Sequence, residues 1–192
     1  MNPYTKKQPK DWLAITEKLV EEHPLDKEGI LEVCLKSWEQ IFKSKIGGVL
    51  QIGKDINLTP QMIGNFLHIL IAYNLQKKDP SAWRIGKSKK EKDMVYFSND
   101  DYSFEIKTSS SNSGVYGNRS YGQEATEGTQ KSKEGYYLVI NFDKKVQQEL
   151  PQITKIRFGW IEHSDWIAQK APTGQQSRLS VEAMKFKLLN LL

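Results

Sequence analysis

The stretch "KDMVYFSNDDYSFEIKTSSS", residues 92–111, sets Asp93, Glu105 and Lys107 among two short apolar runs separated by the polar turn "SNDD". Strand side chains alternate between faces, so Tyr102, Phe104 and Ile106 point one way while Ser103, Glu105 and Lys107 share the other. A hairpin closing at residues 98–101 carries Asp93 toward Glu105. Two carboxylates so placed repel each other, and one ammonium offsets only part of that repulsion. A hard divalent cation such as Mg²⁺ resolves it, because it is held by one or two carboxylates together with its waters and a phosphate. Such a set suits phosphodiester hydrolysis. The metal would polarise a phosphoryl oxygen and activate a water, while Lys107 would orient that water or offset transition-state charge. A bare Glu-x-Lys recurs by chance, and its plain reading is a surface pair of little energetic weight. The upstream Asp93, the strand–turn–strand setting, the apolar alternation and a basic approach together raise it above that reading.

Three helices are expected before this hairpin. Asp11 to Glu22 is amphipathic through Trp12, Leu13, Ile15, Leu19 and Val20, and Pro24 ends it. A second spans about Asp26 to Lys43, with Ile30, Leu31, Cys34, Leu35, Trp38, Ile41 and Phe42 on one face. Glu28, Glu32 and Glu39 run along its border, facing solvent or a cleft. After Gly47 and Gly48, a third begins with Thr59 as N-cap and Pro60 at the first helical position, and runs to about Gln76. His68 within it is expected to be a packed or surface histidine rather than a ligand. Beyond the hairpin, residues 108–135 form a polar, glycine-rich connection of the length that is usually functional or disordered. "GYYLVINF", residues 135–142, is expected to be a buried strand; another lies in "ITKIRFGWIEHSDWI", and Ser180 to Leu192 is expected to be a short helix. Helices, then strands, then a helix give an α/β or α+β domain with a mixed central sheet, and α/β is the class expected here.

The chain's 192 residues suit one domain, 1–192, with a helical region over about 1–76 and a sheet region over about 93–170. A hydrophobic content of 38% against 27% charged residues describes a chain that folds rather than one that stays disordered. No apolar run approaches the roughly 18 residues of a membrane span, and the N-terminus lacks the apolar centre of a secretory signal, so a cytoplasmic address is expected. The lone Cys34 and the scattered His23, His68 and His163 argue against an internal disulfide and against zinc. The net charge of +5 is concentrated in one place: Lys77, Lys78, Arg84, Lys87, Lys89, Lys90 and Lys92 face only Asp79 and Glu91 over residues 76–92. That concentration suits a polyanionic partner; a solvated loop is the alternative.

"KDMVY" and "YSFEIKTSS" resemble the core of the PD-(D/E)XK nucleases, with Asp93, Glu105 and Lys107 on the three motif positions. Lys92 stands where that motif has proline. The segments "FEIKTSSS", "GNRSYG", "GYYLVINF", "IRFGWIEHSDW" and "TGQQSRLS", in that order, are similar to ScaI-type restriction endonucleases. The resemblance implies a restriction-endonuclease-like mixed sheet of about five strands flanked by helices. It also implies Mg²⁺-dependent cleavage of double-stranded DNA leaving 5′-phosphates, at a short palindrome. Many members of the superfamily set an acidic residue of an early helix near the metal; Glu39 is the candidate here, with Glu32 behind it and a solvent-facing role as the alternative.

A nuclease this small must carry its recognition elements within the same domain. Asn118, Arg119 and Gln123 of "YGNRSYGQ" have side chains that pair with base edges, Arg with guanine and Asn or Gln with adenine, although a plain flexible loop has a similar composition. Gln175, Gln176 and Arg178 of "TGQQSR" are a second candidate set, and Lys89 and Lys90, with Lys77, Lys78 and Lys87, are candidates for phosphate contacts. A palindromic target matches a two-fold homodimer. A repair or junction-resolving nuclease, or a DNA-binding protein without catalysis, are the competing readings.

Overall fold

A computed structural model describes residues 2–123, 132–144, 150–169 and 174–192. Helix α1 (Pro9–Glu21) starts with proline in its first turn, where the missing N–H costs nothing. Helix α2 (Lys27–Lys43) is capped by Asp26, whose carboxylate accepts the Gly29 N–H at 2.7 Å. A two-stranded ribbon, β1 (Lys45–Ile46) and β2 (Leu50–Gln51), turns through Gly47 and Gly48, both at positive φ. Helix α3 (Pro60–Lys78) then begins at Thr59, whose hydroxyl accepts the Met62 N–H.

The main sheet is built from β3 (Trp83–Ile85), β4 (Met94–Tyr96), β5 (Phe104–Ser109), β7 (Gly135–Phe142), β8 (Ile153–Ile161) and β11 (Leu189–Asn190). It has six strands in the order β11-β8-β7-β5-β4-β3, one more than the approximate five of the resemblance. All neighbours are antiparallel except β5 and β7, which run parallel. Parallel neighbours cannot be joined by a tight turn, so a long connection between Ser109 and Gly135 is a topological requirement. Part of that connection is ordered as β6 (Tyr116–Asn118) and a 3₁₀ turn, Arg119–Gly122. Strand β6 joins β10 (Gln176–Leu179) and β9 (Trp166–Ala168) in a second, three-stranded sheet.

The expected terminal helix is shorter than the pattern suggests. Helix α4 covers only Val181–Phe186, because Leu189 and Asn190 are drawn into pairing with Phe158 and Arg157 of β8.

Alternation along β5 and β7 decides what lies on each side of the main sheet. Phe104, Ile106, Tyr136, Leu138 and Ile140 join Phe158 and the buried faces of the three long helices in the larger core. Tyr137 and Val139 point to the opposite side, into a smaller core with Val115, Tyr121, Trp166, Leu179 and Ala183. Glu105 and Lys107 share the face of Tyr137 and Val139, their register partners on β7. The catalytic candidates therefore face the second sheet and not the helical core.

Candidate functional site

The hairpin that carries the acids is shorter than its sequence implied. Met94 pairs with Phe104, and the chain between them folds into a 3₁₀ turn over Asp100–Tyr102. Its polar residues secure it: the Asn99 side chain accepts the Asp101 N–H, and the Ser103 hydroxyl donates to Asp100 at 2.7 Å. The hairpin aligns Asp93 with β5, and the Ile106 N–H donates to Asp93 Oδ2 at 2.8 Å. A backbone bond of that kind fixes the carboxylate beside the strand position that carries Glu105.

Glu105 is 1% exposed, and its Oε2 lies 3.7 Å from Lys107 Nζ. The lysine side chain is 18% exposed and donates to the Tyr121 hydroxyl at 2.9 Å. Burial on its own would lower the Lys107 pKa, but the neighbouring Tyr121, Glu105 and Asp93 outweigh it and the pKa is raised. Lys107 is an ammonium at neutral pH, a donor and a positive charge and not a base. Tyr137, beside Glu105 on β7, has its pKa pushed well up by burial first and then by Tyr121 and Glu105, which keeps its hydroxyl neutral.

Two neighbours escaped the sequence reading. His68, expected to be a packed or surface histidine, places Nε2 3.5 Å from Asp93 Oδ2. Gly64 sits one turn earlier on α3, where an added Cβ would come within 2.6 Å of Thr108 Oγ1, so this face of the helix lies directly on β5, a contact the sequence alone does not mark. Tyr121, a residue of the polar connection, was not singled out because nothing local to "NRSYGQ" indicates what its side chain meets.

Glu39 is 61% exposed and pairs with Lys43 at 2.5 Å, one helical turn away. Glu32 pairs with Lys78 of α3 at 2.5 Å, and that contact lowers its pKa. The structure thus holds both candidate acids, Glu32 and Glu39, in ion pairs on helix surfaces.

The two candidate recognition stretches, far apart in sequence, meet in the second sheet. Asn118 pairs with Gln176 and Tyr116 with Arg178, and in-register partners lie on one face. Along β10, Gln176 and Arg178 are exposed while Ser177 and Leu179 are buried, so Asn118, Gln176 and Arg178 share the open face. Arg119 donates its N–H to the Gln175 carbonyl at 2.9 Å and its guanidinium to that of Gly174 at 3.3 Å. Gln123 ends the 3₁₀ turn and is exposed. A cleft of about 820 Å³ runs between the start of α3, the end of β5 and this sheet, touching Gln61, Asn65, Ser109, Tyr116, Lys144 and Gln176.

On the other side of Asp93 lies the basic segment. The Glu91 carboxylate accepts the N–H groups of Lys87 and Ser88 and the Arg84 guanidinium, which folds residues 87–91 into a fixed turn and lowers the Glu91 pKa to about 2. Lys89 and Lys90 are exposed on it, and Lys87, Lys89 and Asp93 line one cleft of about 430 Å³. Lys92, at the position of the motif's proline, donates to the carbonyls of Ser132 and Glu134 and so holds the start of β7.

The donor set bears on which metal it could hold. Among the described residues, no group of three or more His, Cys, Asp or Glu side chains forms a closed cage. Two hard carboxylates, Asp93 on a cleft and the buried Glu105 behind it, fit Mg²⁺, which keeps several of its waters and takes further oxygens from a substrate phosphate.

The six-stranded mixed sheet flanked by helices, with Asp93 and Glu105-x-Lys107 on its central hairpin, is of the restriction-endonuclease-like class. A family model described as ScaI restriction endonuclease matches residues 2–192. The chain is also 43% identical over 190 residues to the type II restriction enzyme ScaI of Streptomyces caespitosus, a similarity that covers 98% of this chain and 83% of that protein. It belongs to the ScaI restriction endonuclease family, whose enzymes are type II site-specific deoxyribonucleases.

Proposed function

We propose that this type II restriction endonuclease cuts double-stranded DNA at a short palindrome, leaving 5′-phosphates, with Asp93, Glu105 and Lys107 as its catalytic residues. The observation that carries this reading is the convergence of the three side chains on one hairpin, Asp93 bonded to the Ile106 N–H and Lys107 3.7 Å from Glu105. Asp93 and Glu105 would hold Mg²⁺. When bound, that ion supplies charge that polarises the scissile phosphate and lowers the pKa of a water. Lys107, kept protonated, orients the attacking water and offsets the charge that grows on the phosphoryl oxygens. Its burial strengthens that interaction, because a fixed charge out of bulk water is screened less.

Lys89 and Lys90 contact phosphates and give salt-dependent affinity. Asn118, Arg119, Gln123, Gln175, Gln176 and Arg178 read base edges from the second sheet. The chain acts as one nuclease unit in the cytoplasm; no helix among the described residues is long and apolar enough to cross a membrane.

The enzyme works as a homodimer, which gives each strand of a palindrome its own active site. Support comes from α3, where Met62, Phe66, Ile69 and Tyr73 form an exposed apolar stripe opposite its buried face. A helix that is apolar on two opposite faces, with Gln61, Asn65 and His68 confined to one flank, fits a covered position. The stripe bears no charge, so a two-fold axis through it opposes no like charges.

The test is digestion of a long duplex with Mg²⁺. Discrete fragments are expected; a uniform smear points to a repair nuclease, and strong preference for four-way junctions to a resolvase. Absence of any Mg²⁺-dependent cut in the folded protein leaves the binding-only reading.

A further inference from the structure

We infer that Tyr121 is a positioning residue that ties the base-reading sheet to Lys107, a role that rests on the proposed catalytic set. Its hydroxyl accepts from Lys107 Nζ at 2.9 Å, whereas Glu105 Oε2 lies 3.7 Å from the same nitrogen. The lysine is thus held off the carboxylate by a hydroxyl of the 3₁₀ turn that packs on the second sheet. Without that hydroxyl, the ammonium closes on Glu105, its strongest remaining attractor, and occupies the carboxylate that would hold the metal.

The other end of Tyr121 is fixed in the second sheet. Its ring packs on Trp166 with centroids 4.8 Å apart, and it is nearly buried. Gly117 leaves room for that ring: an added Cβ would meet Tyr121 Cγ and Cδ2 at 3.0 Å and Trp166 at 3.2 Å. The next residue, Gly122, donates its N–H to the Ser177 hydroxyl at 3.0 Å, and a Cβ there would come within 2.4 Å of the Ala168 backbone. Ser177 Oγ also lies within hydrogen-bond distance of the Asn118 and Arg119 carbonyls. The residue that contacts Lys107 is therefore held by the frame that presents Asn118, Arg119 and Gln176. A displacement of that frame on DNA is passed to Lys107 through the Tyr121 hydroxyl and through its ring, whose centroid lies 4.6 Å from Nζ.

The experiment compares the parent enzyme with Tyr121→Phe, which keeps the ring and its packing and removes only the hydroxyl. Three quantities are measured: single-turnover cleavage, the Mg²⁺ concentration giving half-maximal rate, and duplex affinity with Ca²⁺ in place of Mg²⁺. The expected result is a rate lower by roughly 10- to 100-fold, the loss that follows from misplacing a catalytic group. The Mg²⁺ requirement rises, and the affinity is unchanged. An unchanged rate overturns the tie. So does a parallel loss of affinity and rate, or failure to fold, since either makes Tyr121 a packing residue only. Absence of Mg²⁺-dependent cleavage by the parent enzyme overturns the catalytic assignment itself and is distinguishable from all of these.

Discussion

Lys107 and Lys187 each lie beside a glutamate and an aspartate, and their surroundings differ in what is left open. Lys187 is fully buried: Nζ donates to both oxygens of Asp165 at 2.9 Å and to Glu162, and it lies 4.1 Å from the Trp12 ring centroid and 4.6 Å from that of Tyr4. This closed cluster joins the N-terminal segment to the turn after β8 and to the end of α4. Lys107 makes one bond to a hydroxyl and a looser approach to Glu105, while Asp93 lines an open cleft. A lysine beside two acids serves cohesion when its ammonium is fully enclosed and bonded to both, and chemistry when it stays partly exposed, is held off its glutamate and has an aspartate on an open cleft.

The strongest test of that contrast is the pair Lys107→Ala and Lys187→Ala. Lys107→Ala is expected to lower single-turnover cleavage by about 10²–10³-fold, the loss typical of removing one transition-state donor, with duplex binding in Ca²⁺ retained. Lys187→Ala is expected to lower stability to urea by about 3–5 kcal/mol, because it strands the buried carboxylate of Asp165 in the interior. Its cleavage rate per folded molecule is unchanged. If the two variants exchange these phenotypes, the contrast fails.

Acid sharpens the same comparison. His23 is enclosed by Tyr102, Tyr136 and Phe158, and burial lowers its pKa from 6.5 to about 4 despite its contacts with the Tyr102 and Leu25 carbonyls. A folded-state pKa below the unfolded value means that the stability from the neutral ring is present above about pH 6.5. It is lost as pH falls toward 4, by about 3 kcal/mol. Urea midpoints measured between pH 7.5 and 4 should show this decline, and His23→Phe should flatten it. The smallest effect belongs to the exposed pair of α2: Glu39→Ala should cost at most about 0.5 kcal/mol in the same assay and leave the Mg²⁺ dependence of cleavage as it was.

The helices were legible because their signals are local. Asp26 and Thr59 cap where the pattern placed helix starts, and alternation correctly divided Phe104 and Ile106 from Glu105 and Lys107. The hairpin's acids were legible for the same reason, since twelve residues and one turn determine their approach. What stayed hidden is long-range. Asn118 finds Gln176 and Lys187 finds Asp165 only once the chain has folded back, and no periodicity marks those meetings. His68 reaches Asp93 because α3 packs closely on β5 at Gly64, a contact that helical spacing does not indicate. Leu189 and Asn190 carry helical periodicity, and the open edge of β8 overrode it.

The parallel pairing of β5 with β7 has a consequence for how such an enzyme can diversify. Because a long excursion between those strands is obligatory, the chain there is free to vary in content so long as it returns to the same edge. On the proposed assignment, a lineage could exchange the bases it recognises in that excursion while the hairpin on the strand before it is inherited intact. The proposed tie would then set a narrow constraint on each exchanged segment, which must still bring a hydroxyl to Lys107.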